Sequence, residues 1–236
     1  MTDIQYVINE YAKNHSPKST KNFTGLITAT FKEFRPNYAL RVAVPQKVKK
    51  KVELPSEDDI KALLDYFHEK DIDMSLAILL AIYCPMRRSE ISALRVDDLT
   101  GNVIHVHSAM VLDKNKKWVI KTTKTVAGDR YIELPEFICE MIRERDGFAV
   151  PVHPDNISCR FMRVRDRLGL KHFTFHSLRH YSASFQHSIG IADEYIMSRG
   201  GWSSDATLKE VYRHALDEET KKASGLINDK LSQIYT

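Results

Sequence analysis

The chain has 236 residues, 43% of them hydrophobic and 28% charged, with a formal net charge of +4. That length supports one well-buried domain with a smaller module, and the composition is that of an ordinary soluble globular protein rather than a disordered or fibrous one. The apolar stretch Met74 to Cys84 is too short to span a bilayer, Met1-Thr2-Asp3-Ile4 gives no expectation of a secretory leader, and Cys84, Cys139 and Cys159 fit neither a disulfide framework nor a CxxC metal site.

Ile4, Val7, Ile8 and Tyr11 have helical spacing, and Ser16-Pro17 reads as an N-cap followed by proline at the first helical position. Phe23, Leu26, Ile27, Phe31 and Phe34 continue this second helix along one face. Two helices in about forty residues bury too little surface to fold alone. Residues 1–45 are therefore expected to be a partial module whose apolar faces need partners. A linker over 46–55 carries Lys47, Lys49, Lys50 and Lys51, a run suited to following a phosphate backbone, with a solvated linker as the alternative.

The remaining 56–236 read as one domain. Ser56 with Asp59 forms a capping box, followed by a helix bearing Ile60, Leu63, Leu64 and Phe67. The segment 74–83 is apolar nearly all round, which predicts a central buried helix stopped by Pro85. A short helix begins near Ser89. The period then changes: 103–107, 118–120 and 130–134 read as strands, and 125–129, with Gly128, as a hairpin turn. Helices are expected over 135–145, 155–168, 176–189, 193–199, 205–213 and 217–234. The fold class is mostly α with a small antiparallel β-sheet (α+β). His105 and His107 alternate on a strand but lack a third ligand at zinc spacing, so no metal site is expected. Arg160, Arg163, Arg165 and Arg167 lie on one helix, where phosphate contact and a solvated face both remain open.

Five segments carry chemistry. Arg87-Arg88-Ser89-Glu90 follows the buried helix. Thr123-Lys124-Thr125 sits at the edge of the expected hairpin. His176-Ser177-Leu178-Arg179 places His and Arg at i and i+3 on one helical face. Gly201-Trp202 opens a later helix, and Tyr212 ends it. In this order, over nearly all of 55–236, the segments resemble the signature of the tyrosine recombinases of the phage-integrase type. Arg87 to Arg95 looks like the family's first-arginine box, Lys124 like its hairpin lysine, and His176 to His180 like its HxxRH box. Trp202 stands where most members have His and some Trp, and Tyr212 lies ten residues further on. Pro85 replaces the usual glycine, Ser177 replaces the commoner Asp, and Lys121 lies near enough to Lys124 to compete for its assignment. Residues 1–45 resemble the second half of the family's helical core-binding domain, and on that resemblance the first half and any arm-binding domain are expected to be missing from this sequence.

The resemblance implies a DNA breaking-and-rejoining catalytic fold, a 3′-phosphotyrosine intermediate, and strand transfer without metal, ATP or other cofactor. Arg87 and Arg179 would fork onto the nonbridging oxygens of the scissile phosphate, each supplying about 3–4 kcal/mol by analogy with oxyanion donors. Trp202 would add one indole N–H. Tyr212 is the nucleophile; with a pKa near 10 it is only about a thousandth ionised at neutral pH. His176 is the candidate base, worth about 10²–10⁴-fold. Lys124 would protonate the leaving 5′ oxygen. Glu90 is read as orienting the arginines or His176, with plain helix capping as the alternative. Lys47, Lys49, Lys50, Lys51, Arg160 and Arg163 are the expected DNA-backbone contacts.

The expected partners are double-stranded DNA attachment sites, bound by a tetramer that can be monomeric in solution. The expected setting is the cytoplasm of a bacterial or phage-infected cell, at the nucleoid, in the integration or excision of a phage or mobile element. Leu226, Ile227, Leu231 and Ile234 share a face of the last helix, which in this family often packs on a neighbouring protomer and otherwise on its own domain. A type IB topoisomerase-like enzyme and a truncated or decayed integrase that only binds DNA are the alternative readings.

Overall fold

The computed structural model describes residues 2–45, 53–123, 126–204 and 208–209. The chain divides into two units, Met1–Lys51 and Val52–Thr236. In the first, α1 (Thr2–Asn14) and α2 (Pro17–Phe34) are joined by a tight turn at Ser16, whose hydroxyl accepts the Ser19 N–H at 3.1 Å while Pro17 occupies the first turn. Tyr11 stacks on Phe23 with ring centroids 4.3 Å apart. The Gln5 side chain pairs with the Ala43 backbone in both directions, tying the end of the unit to its first helix. Leu26 and Phe34 stay exposed.

The second unit begins with α3 (Glu57–Lys70) and the capping box foreseen at Ser56: Ser56 N–H donates to Asp59 at 2.8 Å and Asp59 N–H to the Ser56 hydroxyl at 3.2 Å. The next helix, α4 (Ile72–Tyr83), is buried continuously from Met74 to Ala81 and packs against α3 and α8 (Phe175–Ser188). Leu76, Ile78 and Leu80 are fully buried, each worth about 1.5–3 kcal/mol relative to exposure. Cys84 caps α4 and Pro85 cannot continue it, so the chain turns into the short α5 (Arg88–Ile91).

The sheet region departs from expectation in two ways. First, β1 (Leu99–Thr100), β2 (Val103–Val106) and β5 (Arg130–Glu133) form one antiparallel sheet in the order β1-β2-β5, while β3 (Ser108–Leu112) and β4 (Trp118–Thr122) form a second. The apolar run after Val103 hides a change of sheet at His107, so β3 was not separable by pattern. Second, 125–129 is not a hairpin turn. Residues Val126–Gly128 make a 3₁₀ turn that carries the chain from β4 to β5, strands that pair with different partners. The actual hairpin turn is at Asp113–Lys117, where the Asp113 carboxylate accepts the N–H groups of Asn115 and Lys117.

Then come α6 (Glu136–Arg143), α7 (Pro154–Arg167), α8, and α9 (Asp193–Gly200). Leu208 and Lys209 are helical. No helix among the described residues is long and apolar enough to cross a membrane.

Candidate active site

Glu90 organises the start of α5. It is 2% exposed, and its carboxylate accepts the Arg87 backbone N–H at 2.8 Å, Arg87 Nη1 at 2.6 Å and Arg130 Nη2 at 2.9 Å. It thus caps the helix and orients an arginine at once. Burial pulls its pKa up, but the charges and hydrogen bonds of Arg130 and Arg87 outweigh that and hold the carboxyl below its ordinary value. Arg87 itself is 42% exposed along its side chain and donates Nη2 to the Gly201 carbonyl at 3.1 Å.

Helix α8 supplies the second arginine. Its N-terminus is set by Thr174, whose N–H donates to the Ser177 hydroxyl at 3.1 Å, the position where an Asp is commoner. Arg179 is almost fully buried. Its Nη1 donates to the Pro85 carbonyl, and its Nη2 has no protein partner. The Pro85 replacement therefore leaves intact the one backbone group this arginine uses, a carbonyl. Desolvation first and the Arg87 charge second push Arg179 down to about 9, still protonated at neutral pH.

The end of α9 brings in Trp202. Gly201 adopts φ +66°, and the Trp202 N–H reaches back to the Met197 carbonyl at 3.0 Å, a left-handed helix stop that favours glycine. The indole folds over the helix end, so close that a Cβ on Gly200 would stand 1.8 Å from its ring. Trp202 packs with Ala183, Ile196 and Leu208, and the Arg179 guanidinium lies 3.9 Å from its ring centroid. The face of the indole, rather than its N–H, makes the contact with the clamp.

His176 lies one turn before Arg179 and meets His180 edge-to-face at 4.6 Å. Desolvation, then the positive charges of Arg179, Arg87 and Arg88, push its pKa down to about 4, so the imidazole is neutral at pH 7. Beside it a cavity of about 490 Å³ is lined by Arg87, Arg88, Ser89, Ser158, Thr174 and His176 together with the apolar Met162 and Phe175; Arg88 is already engaged by Ser158 and Asp155.

The structure therefore brings Arg87, Glu90, His176, Arg179 and Trp202 together. Lys124 and Tyr212, and the linker lysines Lys47, Lys49, Lys50 and Lys51, lie outside the described residues. Arg160 and Arg163 are exposed on α7, with Arg160 paired to Asp71 at 2.9 Å. The rest of that basic run is no uniform face: Arg165 is buried and donates to the Phe173 carbonyl, and Arg167 reaches the Tyr66 hydroxyl. His105 and His107 pair with Asp129 and Asp98, and the described residues hold no cluster able to bind a metal ion. Sequence reasoning passed over Arg130. Its signal is a charged residue on the inward side of an alternating strand, where it must find buried partners.

The phage integrase family model matches residues 55–219, most of the chain. The chain belongs to that family. Curated protein sequences offer no match to it. Among solved structures, a Tn1549 transposon integrase in complex with circular intermediate DNA is 17% identical with a TM-score of 0.75, over 94% of this chain and 85% of that one. A lambda integrase dimer bound to a core site is 19% identical with a TM-score of 0.65, over 89% and 63%. XerA recombinase is 18% identical with a TM-score of 0.57, over 94% and 82%. At such identities these likenesses show the fold, that of a tyrosine recombinase catalytic domain. In this integrase-family domain the mostly helical body and the small antiparallel sheets are the shared architecture.

Proposed function

We propose that this chain is a site-specific DNA recombinase that cleaves and rejoins strands through Tyr212, serving the integration or excision of a phage or other mobile element. The observation that carries the reading is the convergence of two arginines from distant segments. Arg87 donates to Gly201, Arg179 donates to Pro85 two residues before Arg87, and Arg179 stacks on Trp202 one residue after Gly201. Two guanidiniums at one place, one with an unpartnered buried Nη2, suit a ligand with a charged pair of oxygens.

In the proposed reaction the Tyr212 phenol attacks the scissile phosphorus in line, and the bond to the 5′ oxygen breaks. Arg87 and Arg179 neutralise the charge growing on the nonbridging oxygens. His176 takes the phenolic proton, and Lys124 protonates the departing 5′ oxygen. The products are a 3′-phosphotyrosine and a free 5′ hydroxyl, and attack by a second 5′ hydroxyl reverses the step. The phosphotyrosine conserves the energy of the broken bond, so neither ATP nor a metal is required.

Two features support these assignments. His176 is neutral before DNA binds and so can accept a proton, and a phosphate entering between the arginines offsets their charge and raises its basicity toward working pH. Leu208 is buried against Trp202, and Tyr212 is four residues on, within roughly 14 Å of chain. The sequence carries all six candidate groups, Arg87, Lys124, His176, Arg179, Trp202 and Tyr212, which favours an active enzyme over a decayed DNA-binding module.

Double-stranded attachment sites, bound by a tetramer, are the proposed partners. The test is Tyr212→Phe on a nicked suicide duplex: covalent protein–DNA adducts should vanish while DNA affinity is kept. Adducts that persist move the nucleophile elsewhere, and relaxation of arbitrary supercoiled DNA favours a topoisomerase instead.

A further inference from the structure

Arg130 opens β5, where the strand alternation turns Arg130 and Ile132 inward and Tyr131 and Glu133 outward. At 6% exposure its guanidinium has lost nearly all of its water, so its donors need protein acceptors. It finds three. Nε donates to the Arg199 carbonyl at 2.9 Å, Nη1 to the Gly128 carbonyl at 3.3 Å and Nη2 to Glu90 Oε2 at 2.9 Å.

Those acceptors lie on three separate stretches of chain, each beside a group assigned to the reaction. Glu90 is three residues after Arg87, Gly128 is four after Lys124, and Arg199 is three before Trp202. Gly201 shows how closely they meet. A Cβ there would stand 2.5 Å from the Ala127 carbonyl and 3.0 Å from Arg130 Nη1. The fourth stretch, α8, joins through the stack of Arg179 on Trp202.

We propose that Arg130 is a positioning residue of the strand-cleavage site, the fixed point that sets Arg87, the segment following Lys124 and the Gly201–Trp202 turn relative to one another. This rests on the recombinase reading above. Arg130 touches no DNA and acts through Glu90. With Arg130 on Oε2, Glu90 holds Arg87 mainly through Oε1, and Arg87 stays half open to a phosphate. Without it, a buried carboxylate has Arg87 as its remaining direct partner and draws that side chain inward. The charges facing Glu90 are Arg87 beside it at the start of α5, Arg130 from β5 and Arg179 from α8, with the neutral but titratable His176 also on α8. Arg130 does the most to hold the carboxyl ionised, so its loss shifts Glu90 protonation to higher pH.

The test uses the full chain, prebound to a suicide duplex, with adduct formation followed in a single turnover across roughly pH 5 to 8. Arg130→Met should slow adduct formation roughly 10–100-fold, the scale of a misplaced reacting group, with DNA affinity unchanged and the acid limb moved to higher pH. Arg130→Lys keeps the charge but cannot span three acceptors; it should restore the acid limb and not the rate, and it serves if the Met variant fails to fold. Adding Glu90→Gln to Arg130→Met should cost little more, because both act through one carboxylate. A wild-type rate and pH profile in Arg130→Met, or losses that add fully with Glu90→Gln and follow melting temperature alone, would overturn the inference. A wild-type chain that forms no adduct would remove the recombinase reading itself, which distinguishes the two failures.

Discussion

The Arg179 guanidinium carbon lies over the Trp202 ring, 3.9 Å from its centroid, and the indole covers a charge that the proposed reaction needs at the phosphate. Arg179 is 1% exposed in this arrangement. A phosphate can use its unpartnered Nη2 only if the indole moves aside or the ligand enters along the edge of the stack. Free and DNA-bound forms should therefore differ at this contact.

Tryptophan emission reads that difference directly, since the chain has two tryptophans, Trp118 and Trp202. In a Trp118→Phe background, binding of a duplex site should change the emission of Trp202. Unchanged emission under saturating DNA would mean that no phosphate reaches Arg179. Trp202→Phe keeps an aromatic face and should keep the fold, whereas Trp202→Ala should cost about 3–5 kcal/mol in urea unfolding through the lost packing with Ala183, Ile196 and Leu208.

The two glycines before Trp202 should fail for different reasons. Gly201→Ala meets a left-handed backbone and the Ala127 carbonyl, so it should destabilise by more than about 1 kcal/mol with no relief from side-chain motion. Gly200→Ala places a methyl where the indole ring is and should expel Trp202 from the helix end. Red-shifted Trp202 emission in the unliganded Gly200 variant checks this; a wild-type spectrum with wild-type stability would count against the packing described here.

Acid should weaken the fold in two steps. His176 and His180 both have their pKa pushed from 6.5 to about 4, by burial first and then by neighbouring charges. Their unfolded forms bind protons that the folded forms refuse, so stability is full above about pH 6.5, falls as pH drops from there toward 4, and then levels. Glu90 adds a lower step of the same sign: its carboxyl, held below the ordinary 4.5, stays ionised in the fold where the unfolded form takes up a proton, so its contribution is present above about pH 4.5 and lost as pH falls through the folded value. Denaturant midpoints at pH 7.5, 5.5, 4 and 3 should resolve the steps, and His176→Gln with His180→Gln should flatten only the upper one.

Much of this protein could be read from the chain alone, for a physical reason. Helix period, the Ser56 capping box and the stop at Pro85 are local properties, so α3, α4 and α6 to α9 fell within a few residues of where periodicity put them; apart from Leu208 and Lys209, the helices expected over 205–213 and 217–234, with the face of Leu226, Ile227, Leu231 and Ile234, lie outside the described residues. Arg87, Glu90, His176, Arg179 and Trp202 were marked by an order of segments that resembles the recombinase signature, since each motif alone is common by chance; that the fold brings them together is seen only in the structure.

Relations between elements far apart in sequence had no such local trace. Arg130 meets Glu90 across 40 residues and the Arg199 carbonyl across 69, and Arg179 meets Pro85 across 94. The split into two sheets, the 3₁₀ turn at Val126–Gly128, the burial of Arg165 beside an exposed Arg163, and the use of Trp202 by its face are of the same kind. Period and local capping determined which elements form, and the order of a few segments, through its resemblance to the recombinases, marked the side chains proposed for strand transfer. Only tertiary packing decided which buried charges share a partner, because a desolvated guanidinium is stabilised by whatever acceptors the fold brings to it, and those are set in space rather than along the chain.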